Sequence, residues 1–393
     1  METRTPSDCD GACLPQAAGR GIDRVHARTI AALRAPALEL LGHAHGMAAG
    51  WTQRVVAGLH DTLSALPMHD WLAAFRPSVA FFNLHPAVME RDPLAAALGL
   101  VRFVVGAPGR ASGGFVIPEA AFAPAGLYLP HLGVVVAPGA GPLAVQLGSD
   151  AVRLTWSDGV SADLPTGRFE LPRPDAAGRL LPVPAVAGWP LLNAVPEAHD
   201  AELPVQPPPA ESIGAEELGL VEQAHELLQS VWPEAAAATQ RFLHSLIVQP
   251  GAADHTTSVT LDFLQGTFIA SLRDAVQVAD AMVHEGSHAR LALLLRSDAL
   301  VVDDGVARHA SPWRLDPRPL KGVVNGVHAF LNVALFYRRL AERRPDLADM
   351  ASELYELQRS KVREAWALCA AHAQPTPLGR IFLDELGLEV ERL

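Results

Sequence analysis

One stretch of the chain carries residue types at a spacing that could do chemistry. His284-Glu285-Gly286-Ser287-His288 follows the pattern H-E-x-x-H. On a helix, side chains four residues apart lie one turn apart on the same face, so His284 and His288 point the same way. Two imidazoles held in this way can chelate one divalent metal ion. The carboxylate of Glu285 is suited to accept a proton from a metal-bound water or to hold a ligand in place.

The motif lies inside a mostly apolar run from Ala275 to Leu295, which has the length of a helix and contains strong helix formers. Apolar residues occupy nearly every side of that helix, so we predict that it is buried. Gly286 inside it indicates a close backbone approach by another element. Two buried histidines without a metal are the alternative interpretation of this motif.

A metal held by the two motif histidines needs a third protein ligand. His328 is our choice, because it is the only histidine after the motif that lies on a predicted buried helix. His309, in a predicted loop, is the second candidate. The alternative for His328 is a core histidine bonded to a backbone carbonyl.

Two arginines, Arg314 and Arg318, lie in the proline-rich stretch 311–320, whose prolines predict an extended, rigid loop. A guanidinium group binds a carboxylate better than any other side chain does, so this pair could bind a carboxylate of a ligand. The alternative is that both arginines lie on the surface or pair with Asp316.

Patterning along the chain predicts an α+β fold with five regions. Residues 1–20 are expected to form a disordered tail, and residues 21–97 an N-terminal helical region. Short β-type runs bounded by Gly and Pro predict a small antiparallel β subdomain at 98–170, inserted ahead of the motif. Residues 171–210 are rich in proline and are interpreted as an extended connection. Residues 211–393 are predicted to be a mainly helical catalytic region built around the buried H-E-x-x-H helix.

Composition and charge exclude several classes of protein. The 393 residues are 49% hydrophobic, enough for a sizeable core, and the net charge of −12 argues against non-specific nucleic-acid binding. Cys9, Cys13 and Cys369 are too few for a disulfide framework, and the first two are expected to be exposed thiols. No apolar run of about 18 residues lacks charge or proline, and no signal peptide is recognisable. We therefore expect a cytoplasmic protein with no membrane partner.

Three classes of function fit these residues. A zinc metallopeptidase would use Glu285 as its general base, although Leu291 and Leu294 stand where the extended motif requires Gly and His. A non-haem iron(II) oxygenase keeps three protein ligands and leaves positions open, and a 2-oxoglutarate cosubstrate would need a cation such as Arg314 or Arg318. A non-catalytic peptide-binding protein is the third class.

Three segments together carry a resemblance to a known family: the motif helix, the Ser311–Pro319 stretch, and the stretch from Gly322 to Phe330. Over roughly residues 255–345 they resemble the H-E-x-x-H family of 2-oxoglutarate- and iron-dependent peptide β-hydroxylases, which modify ribosomally made peptides. The resemblance implies an Fe(II)- and 2-oxoglutarate-dependent enzyme that hydroxylates a side-chain β-carbon. Its partner would be a precursor peptide, bound directly or through a leader segment.

The resemblance also assigns roles to residues. It places the metal on His284 and His288, and the cosubstrate on Arg318. The third ligand falls on His328, while Asn325 and Phe330 mark positions at which other members can carry the histidine. Under this interpretation Glu285 orients a ligand or a water rather than acting as the base of a peptidase. Zinc remains the alternative metal, because imidazole ligands suit both ions.

Overall fold

The structure is a computed structural model, and it confirms the predicted α+β class, with helices predominating over several small sheets. The residues that it describes are 11–15, 20–76, 80, 84, 86–105, 113–117, 126–137, 141–148, 151–165, 178–194, 210–249, 258–261, 266–296, 298–302, 305–306 and 308–393. Within these residues no helix is long and apolar enough to span a membrane.

Helices occupy both ends of the described chain and flank a β-rich middle. In chain order they are α1 (Arg20–Ala32), α2 (Arg34–Met47), α3 (Gly50–Ala65), α4 (Met68–Ala74), α5 (Pro86–Arg91), α6 (Pro93–Gly99), α7 (Val101–Val104), α8 (Ala215–Val231), α9 (Pro233–Phe242), α10 (Ala275–Leu295), α11 (Leu320–Arg343), α12 (Ala348–His372) and α13 (Pro377–Glu391). Helix α10 has the bounds that the apolar run predicts, and it contains the motif.

The strands form small sheets. They are β1 (Gly113–Ile117), β2 (Leu127–Leu129), β3 (Val134–Val136), β4 (Leu143–Leu147), β5 (Ala151–Thr155), β6 (Ser161–Pro165), β7 (Leu180–Pro182), β8 (Ala185–Val186), β9 (Trp189–Pro190), β10 (Ser245–Gln249), β11 (Ser258–Leu261), β12 (Thr267–Ser271), β13 (His309–Ser311) and β14 (Arg314–Arg318). Strands β1-β4-β5-β6 and β2-β3-β7 form two antiparallel sheets, as predicted for the β subdomain. In the sheet β10-β12-β11, strand β12 pairs in parallel with β10 and antiparallel with β11.

Two hydrophobic cores hold these elements. Helices α2–α7 bury their apolar faces with strands β1–β7, whereas α8–α13 pack with the sheet β10-β12-β11. The boundary between the cores differs from the predicted one, because Ile22 and Val25 of α1 pack into the second core. Helix α10 lies in that second core. The predicted close approach at Gly286 is confirmed, since a Cβ there would lie 3.1 Å from Cγ2 of Thr239 on α9.

Two predictions near the β-rich middle are wrong. The run Val101–Val105 has β-type composition, yet Val101–Val104 is helix α7, because burial of Val101, Phe103 and Val104 outweighs their intrinsic preference. The predicted extended connection also contains folded structure, since β7, β8 and β9 lie within it. Trp189 is buried, and its Nε1 donates to the carbonyl of Leu243 at 2.7 Å, so this part of the connection is core.

Three further predictions differ in the C-terminal half: the sequence pattern predicts a helical stretch from Glu211 to Ile247, a rigid loop at 311–320 and a Pro/Gly-broken tail at 376–393. The helical stretch ends at Phe242, because Pro233 starts a second helix and the buried run Leu246–Val248 then forms β10. The loop at 311–320 is a hairpin of β13 and β14. The tail contains the helix α13, with Thr376 Oγ1 accepting from the Gly379 amide at 2.9 Å. Pro377 suits the first helical position.

The predicted disordered tail is wrong for residues 11–15. Ala12 and Cys13 are completely buried in the second core, so Cys13 is not the exposed thiol that we expected. Apolar contacts, and hydrogen bonds that side chains of α11 donate to the carbonyls of this stretch, outweigh its polar composition. Cys9 and the rest of the predicted tail before Arg20 lie outside the described residues.

Candidate metal centre

Helix α10 presents the two motif histidines along its one partly exposed stripe. His284 and His288 are both partly exposed, while Glu285, Gly286 and Ser287 between them are buried. Asp274 caps the start of the helix, and its Oδ1 accepts from the amides of Val276 at 3.0 Å and Gln277 at 2.9 Å. Cap and packing together fix the direction of the histidine pair.

The two motif rings lie close together. Nε2 of His284 is 3.0 Å from Nε2 of His288, a hydrogen-bonding distance, and the two rings meet edge to face. Two imidazole nitrogens at about 2.1 Å from one ion are about 3.0 to 3.4 Å apart when their bonds subtend roughly 90–110°. The observed separation falls in that range, so the two residues fit a divalent metal. Burial, followed by the neighbouring His288 and His328, holds the pKa of His284 well below its usual value. Its imidazole is therefore neutral, as a metal ligand must be.

His328 lies on α11, the helix that packs against α10. It is completely buried, and its Nε2 is 2.8 Å from the carbonyl of Ala12 and 3.1 Å from that of Cys13. A carbonyl only accepts, so Nε2 carries the proton and the lone pair is on Nδ1. Nδ1 is buried and has no hydrogen-bond partner among the described residues. The carbonyl contact is the one expected of a core histidine, and it is also the contact that metal-bound histidines commonly make.

Electrostatics link His328 to the motif pair. Burial, then Arg290 and the neighbouring His288, lowers the pKa of His328 to about 3, while its contacts with Ala12 and Cys13 oppose that shift. The described side chains contain no complete cluster of three His, Cys, Asp or Glu residues in ligand geometry. The structure thus brings His284 and His288 together and places His328 as a neutral neighbour on the facing helix.

Glu285 is 1% exposed and faces the interior instead of the open stripe of α10. Its charge helps to raise the pKa of Asp280, five residues earlier on the same helix. Asp280 Oδ2 accepts from the hydroxyl of Tyr337 on α11 at 2.6 Å. This hydrogen bond ties α10 to α11 one turn before His284.

The Asp280 carboxyl predicts a pH-dependent stability. Burial is the main cause that raises its pKa to about 6, with Glu285 adding to the shift and Tyr337 opposing it. The folded chain therefore keeps a proton that the unfolded chain loses, and stability falls as pH rises from about 4 to 6. Asp280→Asn remains neutral and should become more stable than the wild type by roughly 2 kcal/mol across that interval. Urea unfolding of both proteins at pH 4 to 7 measures this difference, and parallel profiles would contradict it.

An aromatic pair closes one side of the histidines. Phe330 meets the ring of His284 edge-on at 4.6 Å and stacks on Trp313, with ring centroids 4.5 Å apart. Trp313 Nε1 donates to Oε1 of Gln358 at 3.1 Å. Trp313 also lies on Gly326, where a Cβ would be 3.1 Å from the indole, so the glycine makes room for it. The hairpin and α11 thereby cover one side of the His284 ring with aromatic side chains.

The two hairpin arginines share one carboxylate. Arg318 Nη1 is 3.0 Å from Asp316 Oδ2, and Arg314 Nε is 3.8 Å from Oδ1 of the same residue. Both side chains are substantially exposed, which matches the surface-pair alternative. The backbone amide of Asp316, followed by Arg318, lowers the pKa of the Asp316 carboxyl. Arg318 packs near Gly322, two turns and about 12 Å along α11 before Phe330.

The other third-ligand candidates have different surroundings. His309 lies on β13, opposite Arg318 in the hairpin, and its ring contacts that of His372 on α12 at 5.4 Å. Asn325 is partly exposed on α11, one turn before His328. The ring contact of His309 does not involve the motif histidines, whereas His328 is electrostatically coupled to both His284 and His288.

Sequence patterns did not single out Arg290 or Asn332, both of which are buried next to His328. Asn332 Nδ2 donates to the carbonyls of Cys13 at 3.1 Å and His328 at 2.9 Å, and its Oδ1 accepts from Arg290 at 3.2 Å. One signal was available for Arg290: it is a charged residue inside a helix that is predicted to be buried. Arginine is seldom fully buried, so its presence there is unusual.

No family model matches the chain, and no curated protein matches it significantly.

Proposed function

We propose that this chain is a non-haem iron(II)- and 2-oxoglutarate-dependent oxygenase that hydroxylates a side-chain β-carbon of a ribosomally made peptide. The observation that carries the proposal is the pair His284 and His288, whose Nε2 atoms lie 3.0 Å apart. His328 on the facing helix would supply a third neutral imidazole through Nδ1, which has no hydrogen-bond partner in the described part of the chain. Three ligands of this kind leave positions open on the metal.

The residues around the histidines have distinct roles in this proposal. Bound iron and 2-oxoglutarate would supply the oxidising chemistry, in which dioxygen gives one oxygen atom to a C–H bond of the peptide and the other to the cosubstrate as it loses CO₂ and becomes succinate. His284, His288 and His328 hold the metal, and the carbonyls of Ala12 and Cys13 fix the tautomer of His328. The stacked Phe330 and Trp313 cover one side of the His284 ring.

The choice of a peptide substrate rests on the family resemblance and on access. The motif histidines lie on the partly exposed stripe of α10, so a side chain of a large substrate can approach them. A precursor peptide would reach this stripe directly or be held by its leader segment.

The second candidate is a zinc metallopeptidase, which the presence of Glu285 beside the chelating pair favours. A peptidase base must reach a metal-bound water. Glu285 is buried and electrostatically linked to Asp280, which fits an orienting role better. A peptide-binding protein in which the metal is structural or absent is the third candidate.

The experiment uses a mixed peptide library with the full-length protein. With Fe(II), 2-oxoglutarate and ¹⁸O₂, the proposal expects peptides that gain one labelled oxygen atom, together with release of succinate. Shortened peptides formed with zinc, in the absence of 2-oxoglutarate, would establish the peptidase instead. Peptides that bind equally well after chelation and are never altered would favour the non-catalytic class. Alanine at His284 serves as the control for both reactions.

A further inference from the structure

A fully buried guanidinium lies beside the candidate metal centre and has unused donors. Arg290 is 1% exposed, and its Nη2 donates to Oγ of Ser287 and Oδ1 of Asn332, each at 3.2 Å. Nε and Nη1 have no hydrogen-bond partner among the described residues. Both atoms that receive its hydrogen bonds are neutral. A buried cation without an anion is costly, so this arrangement needs an explanation.

No carboxylate of the described residues pairs with Arg290, whereas Arg314 and Arg318 already share Asp316. Within the described part of the chain, the guanidinium group is therefore buried without an anion beside it.

Arg290 is also close to His328, although its position two residues after His288 places it on a different face of α10 from the motif histidines. Asn332 links it to His328, because it accepts from Arg290 and donates to the His328 carbonyl. Nε and Nη1 of Arg290 are two of the seven buried side-chain nitrogens without partners in the described residues. Two unpartnered donors on one buried cation favour a ligand that carries negative charge.

We infer that Arg290, rather than Arg318 or Arg314, binds the distal carboxylate of 2-oxoglutarate. This inference rests on the proposed function and identifies the residue that would recognise the cosubstrate. A guanidinium group is better suited than an ammonium group to bind a carboxylate. The charged contact is also stronger in a buried site than in an exposed one. A 2-oxo acid without the distal carboxylate would leave Arg290 uncompensated and should bind poorly.

The test measures ligand binding in the absence of oxygen. Protein loaded with Fe(II) is titrated with 2-oxoglutarate and with 2-oxobutyrate, which lacks the distal carboxylate, by calorimetry. The wild type should prefer 2-oxoglutarate by about 10- to 100-fold, the range expected of a charged hydrogen bond. Arg290→Met should lose that preference while keeping stoichiometric iron. Arg318→Gln tests the rival cation, and Arg359→Gln on α12, which removes an exposed arginine paired with Glu356, is the matched control.

The outcomes separate this inference from the proposed function. An unchanged preference in Arg290→Met, or a preference that disappears only in Arg318→Gln, would overturn the role of Arg290 and leave the oxygenase proposal intact. Wild-type protein that holds iron but binds no 2-oxoglutarate would overturn both. If Arg290→Met does not fold, the preference for 2-oxoglutarate is measured on Arg290→Lys, and the melting temperature of the wild type is measured with each 2-oxo acid. A wild-type melting temperature that rises equally with both 2-oxo acids contradicts the inference.

Discussion

Replacing either His284 or His288 with alanine is expected to abolish metal binding. Each change leaves one imidazole where two nitrogens now lie 3.0 Å apart, so the chelate is lost. Replacing a residue that only orients a metal ligand typically lowers metal affinity 10- to 100-fold. Loss of a ligand itself should lower metal affinity by more than about 100-fold. Metal content after dialysis against one equivalent of Fe(II) or zinc, measured by mass spectrometry, tests this.

Two comparison variants sharpen that result. His225→Gln changes a buried histidine that packs edge-on against Trp189 in the same core, and it should keep stoichiometric metal. His328→Ala should weaken binding and reduce activity if Nδ1 is the third ligand. Stoichiometric metal in either motif variant would disprove the site. Unchanged activity in His328→Ala would indicate that His309 or Asn325, rather than His328, is the third metal ligand.

Gly379→Ala is expected to have the largest effect on stability. A Cβ on Gly379 of α13 would overlap the backbone carbonyl of Leu300, and a backbone atom cannot rotate away. The helix start is fixed there, because Leu300 O also accepts from the Thr376 amide at 2.9 Å. We expect a loss of about 3 kcal/mol or more in the free energy of unfolding.

Denaturant unfolding measures that loss, with Gly219→Ala on α8 as the control. The nearest atom to a Cβ at Gly219 is Nε2 of Gln223 at 3.8 Å, so this alanine should be neutral or stabilise by up to about 1 kcal/mol. A Gly379→Ala protein as stable as the wild type would contradict the packing described. Helix α13 also places Phe382 against the ring of His328, at 5.7 Å, so displaced packing should reduce metal affinity too.

The motif helix was predictable because its information is local. The apolar run, the four-residue spacing of the histidines and the glycine at the Thr239 contact all lie within residues 275–295. Helix α11 was predictable for the same reason, since Val324, Val327 and Leu331 are spaced as one buried stripe. Local patterns of this kind predict the observed helix when the face that is buried agrees with the helix preference of the residues.

The remaining features depend on contacts between distant segments. Nothing local in the polar sequence around Cys13 indicates that its carbonyl accepts from His328, 315 residues away. The short helix at Val101–Val104 has β-type residues and is helical because of what it packs against. Arg290 is not identifiable from the sequence for a related reason, because the effect of a buried cation on stability and binding depends on which anions surround it.

The measurement that tests the central claim most directly is the anaerobic absorbance of the protein with Fe(II), before and after 2-oxoglutarate is added. The proposed oxygenase predicts a weak visible band that appears only when both are present, because the cosubstrate then chelates the iron held by His284 and His288. The band should be absent from His284→Ala. No band in the wild type, together with tight stoichiometric zinc in the purified protein, would contradict the oxygenase and support the metallopeptidase.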